Sequence, residues 1–124
     1  MPCTTQSNLP GVIGVKSYII DEISKDGIDK IKAYLIQNAL KSSLAQIFWI
    51  RMPEDILSET QFSHKSCYPH VFAVELGKDW VKFEFYVRSL YNMRCTCPGY
   101  CTRIQQDYVI EFANKMIEIL KIRT

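Results

Sequence analysis

The segment HVFAVELGKDWVKFEFYVR, residues 70–88, constrains the fold of this chain more than any other stretch. Apolar side chains alternate with polar or small ones on both sides of a turn at residues 77–79. Alternation with a period of two is typical of strands that bury one face and expose the other. We therefore predict an antiparallel hairpin with one face on the core.

One register puts all the apolar side chains of this hairpin on the same face. It pairs Leu76 with Val81, because a shift by one residue would move the apolar side chains of one strand to the solvent face. The next pairs along the ribbon are then Val74 with Phe83 and Phe72 with Phe85.

Two other segments have helical spacing. The first follows Asp26, which we expect to cap a helix that ends near residues 40–41. The second opens with the capping box T-R-I-Q at residues 102–105 and should run to about Lys121. The apolar stripes of the two helices consist of Ile28, Ile31, Leu35 and Ala39, and of Val109, Phe112, Ala113, Met116 and Leu120.

The remaining elements are less sharply defined. Residues 1–11 read as a polar tail, and residues 12–23 as a strand rich in β-branched side chains. Residues 44–52 are apolar nearly throughout, which predicts a central strand covered on both faces or nearly so. Residues 53–69 have no clean periodicity beyond one helical turn, and loops of this length are usually functional or disordered.

The order β-α-β-β-β-α predicts an α+β fold. We expect a single domain over residues 1–124, built as a two-layer sandwich. A four-stranded sheet, mixed or mostly antiparallel, would carry both helices on one face. The first β-α-β unit would make strands 1 and 2 parallel through a right-handed crossover.

Charge and hydropathy exclude several function classes. The chain has 15 basic and 13 acidic residues and no basic strip, so we expect no nucleic-acid partner. Residues 47–50 form the longest apolar run of the central region, far short of a membrane span, and residues 1–11 lack a secretion signal. We therefore expect a cytoplasmic protein with no membrane partner, where five cysteines do not form a disulfide framework.

The open end of the predicted hairpin brings two loops together. Because the turn lies at residues 77–79, the start of its first strand and the end of its second meet at the opposite end. The loop before the hairpin carries H-x-x-C-x-x-H, and the loop after it carries RCTCPGYC at residues 94–101. We expect these residues to share one neighbourhood: His64, Cys67, His70, Cys95, Cys97 and Cys101.

Three interpretations of these residues stay open. Zinc takes about four nitrogen or sulfur ligands, which Cys95 and Cys97 would supply with Cys101 or Cys67 and one histidine; the same thiolates permit iron–sulfur ligation. A redox pair would use Cys101, just ahead of the capped helix, as the nucleophile and Cys97 as the resolving thiol. In the third interpretation residues 98–99 form a tight turn and the cysteines pack as small apolar side chains.

These patterns favour a non-catalytic binding or assembly module with its site at the open end of the 70–88 hairpin. The alternative is a metal-binding or thiol-redox protein that uses the same loops. The outer hairpin face predicts a homo-oligomer or a protein partner, because exposed aromatic side chains on a sheet are typical of protein contacts. The residues of that face are Trp80, Lys82, Tyr86, Arg88 and Tyr91.

Overall fold

A computed structural model describes residues 16–42, 44–91 and 97–123, and within these ranges the chain has an α+β fold. The polar tail predicted at residues 1–11 lies outside them. The strands are β1 (Ser17–Ile20), β2 (Leu40–Lys41), β3 (Ile47–Arg51), β4 (His70–Leu76), β5 (Val81–Glu84), β6 (Tyr86–Ser89) and β7 (Gly99–Tyr100). The α helices are α1 (Lys25–Asn38), α2 (Glu59–Ser63) and α3 (Arg103–Leu120), and short 3₁₀ turns lie at Glu54–Ile56 and Lys65–Cys67.

The described strands form a sheet in the order β1-β5-β4-β3-β2, with β6 also on β4 and β7 on β6. Every strand pair is antiparallel. In the sheet β5 and β4 lie between β1 and β3. Because each of the three neighbouring pairs is antiparallel, β1 and β3 run in opposite directions. The predicted parallel pairing of the first two long strands is therefore wrong. The chain leaves α1 into the two-residue strand β2 and turns back along β3, while β1 pairs with the free edge of β5.

The long helices α1 and α3 contact each other and cover one face of the sheet, as predicted. Their buried side chains join those of the inward-facing strand residues in one apolar core. The capping box of α3 is confirmed. The predicted cap of α1 is wrong by two residues, because the Ser24 hydroxyl, not Asp26, accepts the Gly27 N–H at 3.1 Å.

The hairpin has the predicted register near its turn and a bulge further along. Leu76 pairs with Val81 and Val74 with Phe83, but the far end pairs Val71 with Arg88. Between the Val74–Phe83 pair and the Val71–Arg88 pair, β4 covers three residues whereas the opposite segment covers five. Two extra residues are therefore inserted around Phe85. The predicted pairing of Phe72 with Phe85 is absent from both sets. An even insertion keeps the alternation of faces, so Phe85 stays buried.

The bulge connects the hairpin to its neighbours through the backbone of Phe85. Its N–H donates to the Lys16 carbonyl at 2.8 Å, and its carbonyl accepts the Cys101 N–H at 3.1 Å. The second bond fixes the segment between β7 and α3 against the sheet. A bulge in the ribbon thus positions the cysteine-bearing segment that follows it.

Two expectations about the middle of the chain are corrected. Residues 44–52 were expected to be covered on both faces, but β3 buries only alternate residues, Phe48 and Ile50, because its outer face has no covering layer of described residues. Residues 53–69 are not an irregular loop. They fold into two 3₁₀ turns around α2, and a capping box of Ser58 and Gln61 starts that helix.

The hairpin turn provides a prediction with a matched control. A Cβ atom on Gly77 would lie 2.0 Å from Cε2 of the Trp80 ring, whereas one on Gly99 would meet nothing within 4 Å. We expect Gly77→Ala to lower the free energy of unfolding by about 1–3 kcal/mol, as overpacking typically does. Gly99→Ala should be neutral or stabilise by up to about 1 kcal/mol, since it restricts the unfolded chain. Urea titrations of both variants measure this, and equal losses would contradict it.

The outer face of the hairpin is polar and internally paired. Nζ of Lys82 lies 3.2 Å from Oε1 of Glu75, and Arg88 forms a bidentate ion pair with Glu84. The Arg88 guanidinium also lies over the Tyr86 ring. The predicted partner on this face stays a prediction. None of the helices in the described ranges combines the length and apolar character that a membrane span requires.

Candidate metal centre

The open end of the hairpin brings the two cysteine-bearing segments together. His70, the first residue of β4, pairs with Ser89, the last of β6. The Ser89 hydroxyl donates to the Cys67 carbonyl, and the Leu90 N–H donates to the Pro69 carbonyl at 3.2 Å. The segment before β4 is therefore fastened to the end of β6, where the chain continues toward Cys97.

Three side chains at this end form a group that could hold a metal ion, named the metal cluster below: His64, Cys67 and Cys97. One ligand atom from each lies within 4.8 Å of the other two. The Nδ1 atom of His64 is 4.0 Å from the Cys67 sulfur. The two cysteines are 2% and 4% exposed, and His64 is half-buried. A nitrogen and two sulfurs are thus grouped from segments about thirty residues apart.

A 3₁₀ turn explains why H-x-x-C is an effective spacing here. His64 ends α2 and begins the turn Lys65–Cys67, and the Cys67 N–H donates to the His64 carbonyl at 2.9 Å. Because a 3₁₀ helix has three residues per turn, side chains at i and i+3 lie above one another. The imidazole and the thiol therefore project to the same side.

A pair of buried glutamines holds Cys97 in place. Gln61 donates from Nε2 to the Cys97 carbonyl at 3.2 Å. Its Oε1 accepts from Nε2 of Gln105 at 2.8 Å, and the same nitrogen donates to the Ile56 carbonyl at 3.0 Å. Both glutamines also close their own capping boxes, on Ser58 and Thr102. One hydrogen-bond network thus links α2, α3 and the backbone of Cys97.

The sequence analysis does not predict this glutamine pair, although a local pattern for Gln61 exists. S-E-T-Q at residues 58–61 has the same capping-box pattern as T-R-I-Q at residues 102–105. Recognising it would have placed a helix start inside the supposed loop. That the two box glutamines bond each other across the core is a tertiary fact with no local pattern.

His70 lies against the cluster from one side. Its Nε2 is 3.3 Å from the Cys97 sulfur, and the residue is 2% exposed. Its Nδ1 is buried with no hydrogen-bond partner among the described residues. Burial lowers the pKa of His70 below the ordinary histidine value, and the nearby His64 lowers this pKa further.

The other two predicted site residues have different outcomes. Cys101 has no exposed surface and belongs to the apolar core, outside the three-residue cluster. Its predicted role as a redox nucleophile stays a prediction. Cys95 lies outside the described residues, so its place as a ligand stays a prediction.

The donor set of the cluster suits a borderline-soft cation. In a tetrahedral zinc site with bonds of about 2.0–2.3 Å, neighbouring ligand atoms are about 3.5–3.8 Å apart. Because the ligand atoms lie within 4.8 Å of one another, they would have to approach by at most about 1.0–1.3 Å to reach these distances. The Cys97–His70 contact also has the composition of a nucleophile–base pair. Both residues are nearly inaccessible, His70 being 2% and Cys97 4% exposed.

Comparison of the chain with protein-family models, with curated proteins and with solved structures gives no match. The assignment of the site therefore rests on its own geometry.

Proposed function

We propose that this protein binds a metal ion, zinc being the cation that its donor set favours, at His64, Cys67 and Cys97. The observation that carries the proposal is the convergence of three ligand atoms within 4.8 Å from two separate chain segments. Thiolate and imidazole together are typical of zinc sites. The burial of both cysteines and their fixation by Gln61 and Ser89 support a site that forms with the fold.

The metal has a structural role in this proposal. Both sulfurs are enclosed, and the site joins the segment before β4 to the segment before α3. A metal bridge there fixes how the two segments meet at the open end of the hairpin. Because the core of this chain forms from the sheet and the long helices, metal loss should loosen that end and leave the rest folded. The binding or assembly role predicted from the sequence is compatible with this, since the metal would shape that end for a partner.

Metal titration of reduced protein, produced without a polyhistidine tag and stripped with a chelator, tests the proposal. Cobalt should bind one per chain with a thiolate-to-metal charge-transfer absorption, and zinc should displace it. The double variant Cys67→Ala/Cys97→Ala should lose the absorption while circular dichroism shows a folded chain. Cys95→Ser in the same titration tests the remaining predicted ligand. Wild-type protein that takes up neither metal would refute the proposal.

A further inference from the structure

The proton on the His70 ring determines what this residue does for the metal cluster. The surroundings of its two ring nitrogens differ. Nε2 lies 3.3 Å from the Cys97 sulfur, whereas Nδ1 is buried without a partner among the described residues. A neutral imidazole carries one proton on one of these nitrogens, and an imidazolium carries a proton on both.

The unpartnered Nδ1 atom decides between these states. A proton on Nδ1 would bury an N–H donor that has no acceptor among the described residues, which folded proteins avoid more strictly than a buried lone pair. An imidazolium fails for the same reason and adds a buried charge. The remaining state has its single proton on Nε2, directed at the sulfur.

We propose that His70 is a positioning residue that donates its Nε2–H to the sulfur of Cys97 and orients this sulfur within the metal cluster. His70 does not belong to the group of ligand atoms within 4.8 Å, so it acts on one ligand from outside. Hydrogen bonds to ligands from such outer residues orient them and tune their affinity for the metal. The role in metal binding rests on the proposed function, whereas the donor assignment rests only on the contacts of His70.

Two substitutions separate a hydrogen-bond donor from a ligand or a packing residue. His70→Gln places an amide N–H near the Nε2 position, and His70→Phe fills the space without a donor. His70→Phe should weaken cobalt binding about 10–100-fold and move the charge-transfer band to lower energy, because the thiolate loses its hydrogen bond. His70→Gln should restore both properties toward wild type.

Two results of this comparison would overturn the inference. One is a His70→Phe variant with wild-type affinity and band position. The other is a His70→Gln variant that loses as much affinity as His64→Gln, since His70 would then be a ligand itself. Both variants are compared after circular dichroism confirms that they fold.

A measurement on metal-free wild-type protein tests the donor assignment separately. Long-range ¹H–¹⁵N correlation spectra at neutral pH identify which ring nitrogen of His70 is protonated. We expect the proton on Nε2 alone. A proton on Nδ1, or on both nitrogens, would refute the inference even if the protein binds metal. If the protein takes up no metal, the proposed function fails, and the spectrum still decides whether His70 is a donor.

Discussion

Replacing Gln105 by alanine should lower the free energy of unfolding by about 3–4 kcal/mol. The side chain has no exposed surface, and its amide makes three hydrogen bonds: from the Thr102 N–H, to the Ile56 carbonyl and to Gln61. Each net hydrogen bond contributes about 1 kcal/mol, and a buried group left without its partner costs about as much again. The cavity left by the shortened side chain adds to this loss.

The neighbouring residue provides the control for this prediction. Gln106 stands in the same turn of α3 but is only half-buried, and its side chain makes no hydrogen bond with the other described residues. Gln106→Ala should change stability by less than about 0.5 kcal/mol, as surface substitutions usually do. Guanidinium titrations of both metal-free variants give the comparison. If the two variants lose equal stability, the hydrogen bonds between Gln61 and Gln105 do not hold α2 and α3 together.

The hairpin could be predicted because its determinants are local. Alternation fixes which side chains share a face, and the turn fixes the first pairs, so Leu76 with Val81 and Val74 with Phe83 follow. The bulge at Phe85 could not be predicted in this way. An insertion of two residues leaves the alternation unchanged, so the pattern is the same with and without it. The bulge is visible only in the structure, in the shift between the two sets of strand pairs and in the backbone bonds of Phe85 to Lys16 and Cys101.

The order of the strands depends on long-range pairing, which the sequence pattern does not contain. A strand followed by a helix and another strand suggests a parallel crossover. Here α1 instead leads into β2, whose two residues have no periodicity to detect, and β1 joins the open edge of β5. The fold class was predictable because it needs only the helix stripes and the hairpin face. The topology was not.

The meeting of the two cysteine-bearing segments was predictable, but the choice of ligands was not. The register of the hairpin alone brings His64 and Cys67 near the chain that follows β6. The spacing predicts Cys95 and Cys97 as ligands and leaves the choice between Cys101 and Cys67 open. Cys97 and Cys101 differ because β7 lies between them, and Cys101 enters the core beside the start of α3 while Cys97 faces the 3₁₀ turn.

Zinc should stabilise the wild-type protein strongly, and Cys97→Ala should remove most of this effect. A ligand that binds only the folded state at a thousand times its dissociation constant adds about 4.1 kcal/mol to the free energy of unfolding. Structural zinc sites with four ligands contribute about 10–16 kcal/mol, so one ligand is worth roughly 3 kcal/mol, or about a hundredfold in affinity. The variant should therefore lose most of the zinc-dependent increment at the same zinc concentration.

Cys101→Ala is the matched control, because it also removes a buried thiol but one outside the metal cluster. It should lower the stability of the metal-free protein through lost packing and leave the increment due to zinc unchanged. Thermal unfolding of both variants and of wild type, with zinc and with chelator, gives one zinc increment for each of the three proteins. An increment that survives in Cys97→Ala and disappears in Cys101→Ala would move the site away from His64 and Cys67. The size of the zinc increment, not of the destabilisation itself, is therefore the quantity that locates the metal.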